Sequence, residues 1–157
     1  MPLTIGQKIP AVTLFDSDKN KVNLADYEGK NLLVLFFPLA FTGVCTKELC
    51  LVRDNITAYN ALNAAVVGIS VDSLFALDKF KAEQQINFPL LSDFNKTAST
   101  AFDVLYSDFP AFDMKGVSKR AAFVADKTGV LRYAEICPTP GDLPDFEAIS
   151  RLISTLG

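Results

Sequence analysis

The stretch Phe36-Phe37-Pro38-Leu39-Ala40-Phe41-Thr42-Gly43-Val44-Cys45 places a cysteine where a strand stops and a helix starts. Leu32 to Phe37 is an unbroken apolar run, the pattern of a buried strand. From Val44 onward, Leu49, Val52, Ile56 and Tyr59 recur at steps of three and four, which predicts an amphipathic helix. Cys45 then falls in the first turn. Free backbone N–H groups and the positive end of the helix dipole favour an anion there. A thiol so placed is pushed toward thiolate, the nucleophilic form.

Magnitudes show that the helix needs help. A free cysteine titrates near about 8.5, so only roughly 3% is thiolate at neutral pH. Making a thiol mostly thiolate, with a pKa of about 6, takes about 3–4 kcal/mol of differential stabilisation. A helix terminus supplies about 0.3–1 kcal/mol, or up to about 2 when partly buried. A cation must contribute the rest. The chain contains no histidine, which removes Cys–His nucleophile pairs and histidine metal ligands, so the cation is an arginine or a lysine.

The remaining chain bounds the setting. Its 157 residues suit one domain, expected over residues 3–157; half are hydrophobic and 21% charged, a globular balance. A net charge of −3 argues against a nucleic-acid surface. The opening Met1 to Lys8 has no apolar signal core, and the apolar block around Leu32–Leu39 is too short to span a membrane. Three cysteines without an export signal point to reduced thiols in the cytoplasm. Three cysteines without histidine, lacking paired Cys-x-x-Cys spacing, also disfavour a zinc site, and no cofactor is expected.

The pattern of elements predicts an α/β fold with a central mixed sheet flanked by helices. Val12–Phe15 and Lys21–Leu24 flank a polar segment and read as an N-terminal β-hairpin. Ala65–Val71 reads as a second buried strand, and Ser73 as the cap of a helix turning Leu74, Leu77 and Phe80 inward. Phe88–Leu91 is a short extended segment, and Lys96–Val104 a short helix. Leu105–Ser118 yields no assignment. Ala121–Val124 and Val130–Ile136 pair across the turn Asp126–Gly129, and Asp145 caps a last helix facing inward with Phe146, Ile149, Leu152, Ile153 and Leu156.

This arrangement resembles the peroxiredoxins, which have a thioredoxin-like fold. Pro38, Thr42 and Cys45 match the family's Pro-x-x-x-Thr-x-x-Cys signature, and Arg120, just before Ala121–Val124, matches its distant active-site arginine. Phe88-Pro89-Leu90-Leu91-Ser92-Asp93 has the family's look as well. Phe36 to Cys45 is most similar to the alkyl hydroperoxide reductase E class, which works with one peroxidatic cysteine. Cys50, five residues beyond Cys45, instead resembles the resolving cysteine of the peroxiredoxin Q (bacterioferritin comigratory protein) class.

The resemblance implies a thiol peroxidase acting on hydrogen peroxide and organic hydroperoxides. Cys45 is then the nucleophile and passes through a sulfenic acid. The N–H groups of Val44 and Cys45 point at the peroxide, and Thr42 accepts from the incoming hydroperoxide while donating toward the thiolate. Arg120 stabilises thiolate and transition state, and Pro38 shields them from water. Glu48 assists the arginine or is an ordinary helix glutamate. A thioredoxin-, glutaredoxin- or mycoredoxin-like reductant and a homodimer are also implied. Two rivals share the fold: a dithiol oxidoreductase, which the Cys-x-x-x-x-Cys spacing disfavours, and a redox-sensing or chaperone-like binding protein.

The other thiols leave the cycle open. On a helix, positions 45 and 50 are separated by about 7.5 Å of rise and about 140° of rotation. A disulfide needs Cα atoms roughly 4.4–6.8 Å apart, so a Cys45–Cys50 bond requires unwinding. Cys137, at the end of the last strand before Pro138-Thr139-Pro140-Gly141, is an alternative resolving thiol or a packed core residue. Phe37, Phe41, Phe88 and Phe94 either line a hydroperoxide pocket or fill the core. The loop Phe109–Met114 is the stronger interface candidate.

Overall fold

The computed structural model describes residues 2–157. Strands β1 (Thr13–Asp16) and β2 (Lys21–Asn23) form the N-terminal hairpin, with Thr13 opposite Asn23 and Phe15 opposite Lys21. A 3₁₀ turn over Leu24–Tyr27 leads to β3 (Asn31–Phe36), buried at every residue. Helices α1 (Gly43–Asp54) and α2 (Ile56–Ala61) follow, then β4 (Ala64–Ser70), α3 (Leu74–Gln84), β5 (Leu90–Ser92) and the short α4 (Thr97–Ala101). β6 (Ala121–Ala125), β7 (Leu131–Ile136) and α5 (Phe146–Leu156) complete the chain.

All seven strands join one mixed sheet in the order β2-β1-β5-β4-β3-β6-β7. β3, β4 and β5 are parallel, and the other pairings are antiparallel. This is the thioredoxin-like α/β arrangement expected from the sequence. The unbroken apolar run of β3 is explained by a core on each face. Leu33 and Leu35 pack with Leu49, Val52, Leu77, Phe80, Ile149 and Ile153 from α1, α3 and α5. Leu32, Val34 and Phe36 point the other way, toward Leu14, Ala98, Phe102 and Phe123.

The predicted caps are present. Ser73 Oγ accepts from Ala76 N at 3.1 Å, and Asp145 Oδ1 accepts from Ala148 N at 3.0 Å. One expectation fails: the helix beginning at Cys45's turn does not run through Tyr59. It breaks at Asn55, whose N–H donates to Val52 O at 3.0 Å and whose side-chain amide donates to Leu51 O at 2.8 Å. Asparagine competes with the helix for its own carbonyls. Ile56 and Tyr59 still reach the core from α2, so the apolar spacing survives the break.

Residues 105–118, unassigned from sequence, form an irregular arm closed by a bridge between Leu105 and Ser118. Its tip holds Phe112 and Asp113 at φ of 62° and 54°. Positive φ at a bulky side chain is uncommon, and the turn is closed by Phe109 N, which donates to Met114 O at 2.8 Å.

Candidate active site

The register of the sheet builds the site. Phe36 pairs with Ala121, so Arg120, one residue before β6, lies beside the point where the chain leaves β3 for Pro38. Ser118 Oγ donates to Phe37 O at 3.0 Å and ties the two segments together. The loop then turns through Phe41 at φ 68°, its ring edge-on to Phe80 at 5.2 Å, and enters α1 at Thr42.

Cys45 is the third residue of α1 and is 1% exposed, as is Arg120. The guanidinium organises everything around the sulfur. Arg120 Nη2 donates to Cys45 Sγ at 3.2 Å and to Pro140 O at 2.9 Å. Nη1 donates to Glu48 Oε1 at 2.8 Å, and Nε to Pro140 O at 3.2 Å. The cation demanded by the thiolate argument is therefore in place, and it is an arginine. Glu48 sits one turn after Cys45 on the same face, completely buried, which makes it the arginine's partner and not a solvated helix glutamate. Burial pushes its carboxyl up to about 7, against the opposing pull of Arg120. Its second oxygen, Oε2, has no hydrogen-bond partner.

Thr42 occupies the N-cap position but does not cap the helix. Its hydroxyl donates to Leu39 O at 2.8 Å, not toward Cys45 as expected from sequence. The first intrahelical acceptor, Thr42 O, is taken by Thr46 N at 2.9 Å. The N–H groups of Val44 and Cys45 consequently remain available to an anionic oxygen at the mouth of the site.

Cys45, Thr42, Pro38 and Arg120 share a cavity of about 180 Å³ with Leu39, Val44, Phe109, Phe112, Met114 and Pro140. Of the four phenylalanines weighed from sequence, Phe37 and Phe88 are buried in the core beside Cys45's helix. Neither they, Phe41 nor Phe94 line this cavity. The aromatic wall comes instead from the 105–118 arm. Sequence reasoning also missed Pro140. Its neighbours offered a signal: a Pro-x-Pro-Gly segment is poorly suited to regular hydrogen bonding, which leaves a carbonyl free for a distant donor.

The other cysteines stand apart from the cavity. All three are free thiols. Cys50 lies on the intact α1, half-buried, with Sγ 3.7 Å from Gln84 Oε1. Cys137 is buried; desolvation, with Glu135 and Glu48 nearby, pushes its thiol up to about 11. At neutral pH it is a protonated and poorly nucleophilic group.

Comparison with known proteins agrees with this geometry. The family model described as AhpC/TSA matches residues 5–134. The chain belongs to the AhpC/TSA family. It is a peroxiredoxin, a thiol peroxidase. Alkyl hydroperoxide reductase E of Mycobacterium tuberculosis is 36% identical over 146 residues, 91% of each chain. Another M. tuberculosis protein that carries the peroxiredoxin name is 41% identical over 135 residues, 85% of each chain. Among solved structures, the peroxidoxin BcpB of M. tuberculosis superposes with a TM-score of 0.82 at 26% identity, covering 98% of this chain and 96% of its own. A PrxQ variant from Xylella fastidiosa shares the peroxiredoxin fold with a TM-score of 0.87, covering 99% and 98%.

Proposed function

We propose that residues 3–157 act as one domain in which Cys45 attacks hydrogen peroxide or an organic hydroperoxide. The single observation that carries this reading is the Arg120 guanidinium, buried and donating to Cys45 Sγ at 3.2 Å. In the step, a new Sγ–O bond forms as the O–O bond breaks. The leaving oxygen carries the electron pair away and takes a proton to become water or an alcohol, and Cys45 becomes a sulfenic acid. Arg120 and the Val44 and Cys45 N–H groups are positioned to stabilise charge on the departing oxygen. Pro38 excludes water from one wall. Thr42 meets the substrate once its hydroxyl swings from Leu39 O. Phe109, Phe112 and Met114 suit the apolar tail of an organic hydroperoxide, while hydrogen peroxide needs only the cysteine end.

The cycle closes by attack of an outside thiol on the sulfenic acid, releasing water and leaving a mixed disulfide. A second thiol then restores Cys45. Thioredoxin-, glutaredoxin- and mycoredoxin-like proteins supply such thiols, and three free cysteines fit a reducing cytoplasmic setting. What favours an outside thiol over Cys50 is the seating of α1. Unwinding it would separate Glu48 from Arg120 and release Arg53, which donates to Gln84 O at 2.6 Å. The spacing of Cys50 supports the second reading, a Cys45–Cys50 disulfide formed after unwinding.

One equivalent of hydrogen peroxide followed within seconds by intact mass and cysteine mapping tests both. Gain of one oxygen on Cys45 supports the outside-thiol cycle; loss of two hydrogens with a Cys45–Cys50 link supports the second. Unchanged peroxide consumption in Cys45→Ser would sink the assignment of the nucleophile.

A further inference from the structure

A larger cavity lies away from Cys45. It holds about 430 Å³ between β1, the start of α3 and the residues following β5, with Phe15, Leu74, Phe75 and Phe94 among its walls. Phe75 is 68% exposed, Phe94 62% and Phe15 43%. Three large rings open to water around one groove constitute an apolar patch that function must explain.

Each ring carries a cation. Lys19 Nζ lies 5.8 Å from the Phe75 centroid, Lys21 Nζ 5.8 Å from Phe15, and Lys96 Nζ 6.0 Å from Phe94. The lysines come from three places: the hairpin turn, β2 and the turn before α4. None is in an ion pair among the described residues, though Lys96 Nζ also donates to Phe94 O at 3.2 Å. Asp16 and Asp18 on the same hairpin offset part of the charge, but Asp16 Oδ1 is taken up by the N–H groups of Asp18 and Asn20.

Several polar groups of the wall bond inside the protein, while Asn95 and Thr97 also line it. Ser92 Oγ donates to Asp72 O at 2.6 Å, and Ser73 Oγ accepts from Ala76 N. The buried Asp93 carboxylate accepts from Ala98 N at 2.8 Å and Ser99 N at 2.7 Å. A ligand meets mostly aromatic and aliphatic surface inside the groove, with Asn95 and Thr97 beside it, and an ammonium group over each of its three phenylalanine rings. We propose that this groove binds a small anionic amphiphile, an aromatic or alkyl acid whose apolar body lies against Phe15, Phe75 and Phe94 and whose acidic head sits among Lys19, Lys21 and Lys96. The groove contains no thiol, so this site is separate from peroxide reduction.

The test compares naphthalene-2-sulfonate with neutral 2-naphthol by isothermal titration, with backbone-amide NMR on the reduced protein. The sulfonate is expected to move the amide signals of Phe15, Phe75 and Phe94 and to bind at least about fivefold more tightly than 2-naphthol. The triple variant Lys19→Gln, Lys21→Gln, Lys96→Gln loses that gap. Phe75→Ala with Phe94→Ala weakens both probes, with an unchanged circular dichroism spectrum, since both rings are exposed. Equal affinity for the two probes, signals centred on Phe109 and Phe112, or no binding at millimolar concentration would each overturn the proposal. So would a groove closed to both probes together with a Phe75→Ala variant that falls from dimer to monomer, because a second copy of the chain would then be the occupant.

Discussion

At the scale of single residues, Arg120 balances two candidates for negative charge, the Cys45 sulfur and the Glu48 carboxyl, with all three side chains buried. Glu48 keeps its proton up to about pH 7 in the folded protein, because burial outweighs the attraction of Arg120, but titrates near 4.5 when exposed. Between those values the folded state binds more protons than the unfolded one, so stability falls as pH rises. Glu48→Gln removes that slope. In urea unfolding, the midpoint difference between Glu48→Gln and the native protein should therefore change in favour of the variant from pH 4.5 to 7; a difference constant across that window would refute the carboxyl's placement. Arg120→Lys keeps a charge but loses the fork that reaches Cys45, Glu48 and Pro140 together. Peroxide reduction, followed by stopped-flow, should slow by about 10²–10³, the scale of losing one oxyanion donor. Cys137, held protonated, should resist N-ethylmaleimide at pH 8 for longer than Cys50, as read by timed mass mapping.

At the scale of elements, the decisive piece is the loop from Pro38 to Thr42, which delivers Cys45 to the start of α1. It is pinned by a residue outside it. Asp72 Oδ2 accepts from Ala40 N at 2.8 Å and from Ser70 Oγ at 2.6 Å, fastening the loop to the end of β4. Asp72→Ala leaves a partly buried N–H unpaired, which costs about 1–3 kcal/mol, and frees the loop to move. Thermal unfolding should register the loss, and peroxide turnover should drop by more than the change in folded fraction explains. The strand–loop–helix that holds Cys45, the hairpin, the caps Ser73 and Asp145 and the pair β6–β7 were all legible in the sequence, because each rests on local periodicity or a local turn. Arg120's role was legible only through resemblance, since nothing near it in sequence marks it. Asp72 and Pro140 act through long-range hydrogen bonds that leave no period, from Ala40 N to Asp72 and from Arg120 Nε and Nη2 to Pro140 O, and only the Pro-x-Pro-Gly composition hinted at the second. The break at Asn55 escaped because the apolar spacing continues across it.

At the scale of the whole molecule, the 105–118 arm serves two surfaces. Phe109, Phe112 and Met114 wall the Cys45 cavity, yet Phe112 remains 88% exposed, more than any other large apolar side chain described. Its backbone sits at φ 62°, followed by Asp113 at 54°, a conformation that presents the ring outward. An apolar ring held outward at a catalytic rim is suited to a second copy of the chain, and a two-fold pairing would bury it twice. Burying a phenylalanine is worth about 1.5–3 kcal/mol, so two copies contribute about 3–6 kcal/mol, or roughly 10²- to 10⁴-fold in the dimer Kd. Phe112→Asp removes that contribution and places two carboxylates at the same contact. Light scattering across a concentration series should then show the native protein as a dimer where Phe112→Asp is a monomer. Because Arg120, Glu48 and Cys45 lie behind the arm and keep their own hydrogen bonds, hydrogen peroxide reduction should persist in the variant, while activity on a bulky organic hydroperoxide declines with the lost wall. A native protein that is monomeric throughout the series would remove the pairing and leave Phe112 with the cavity alone.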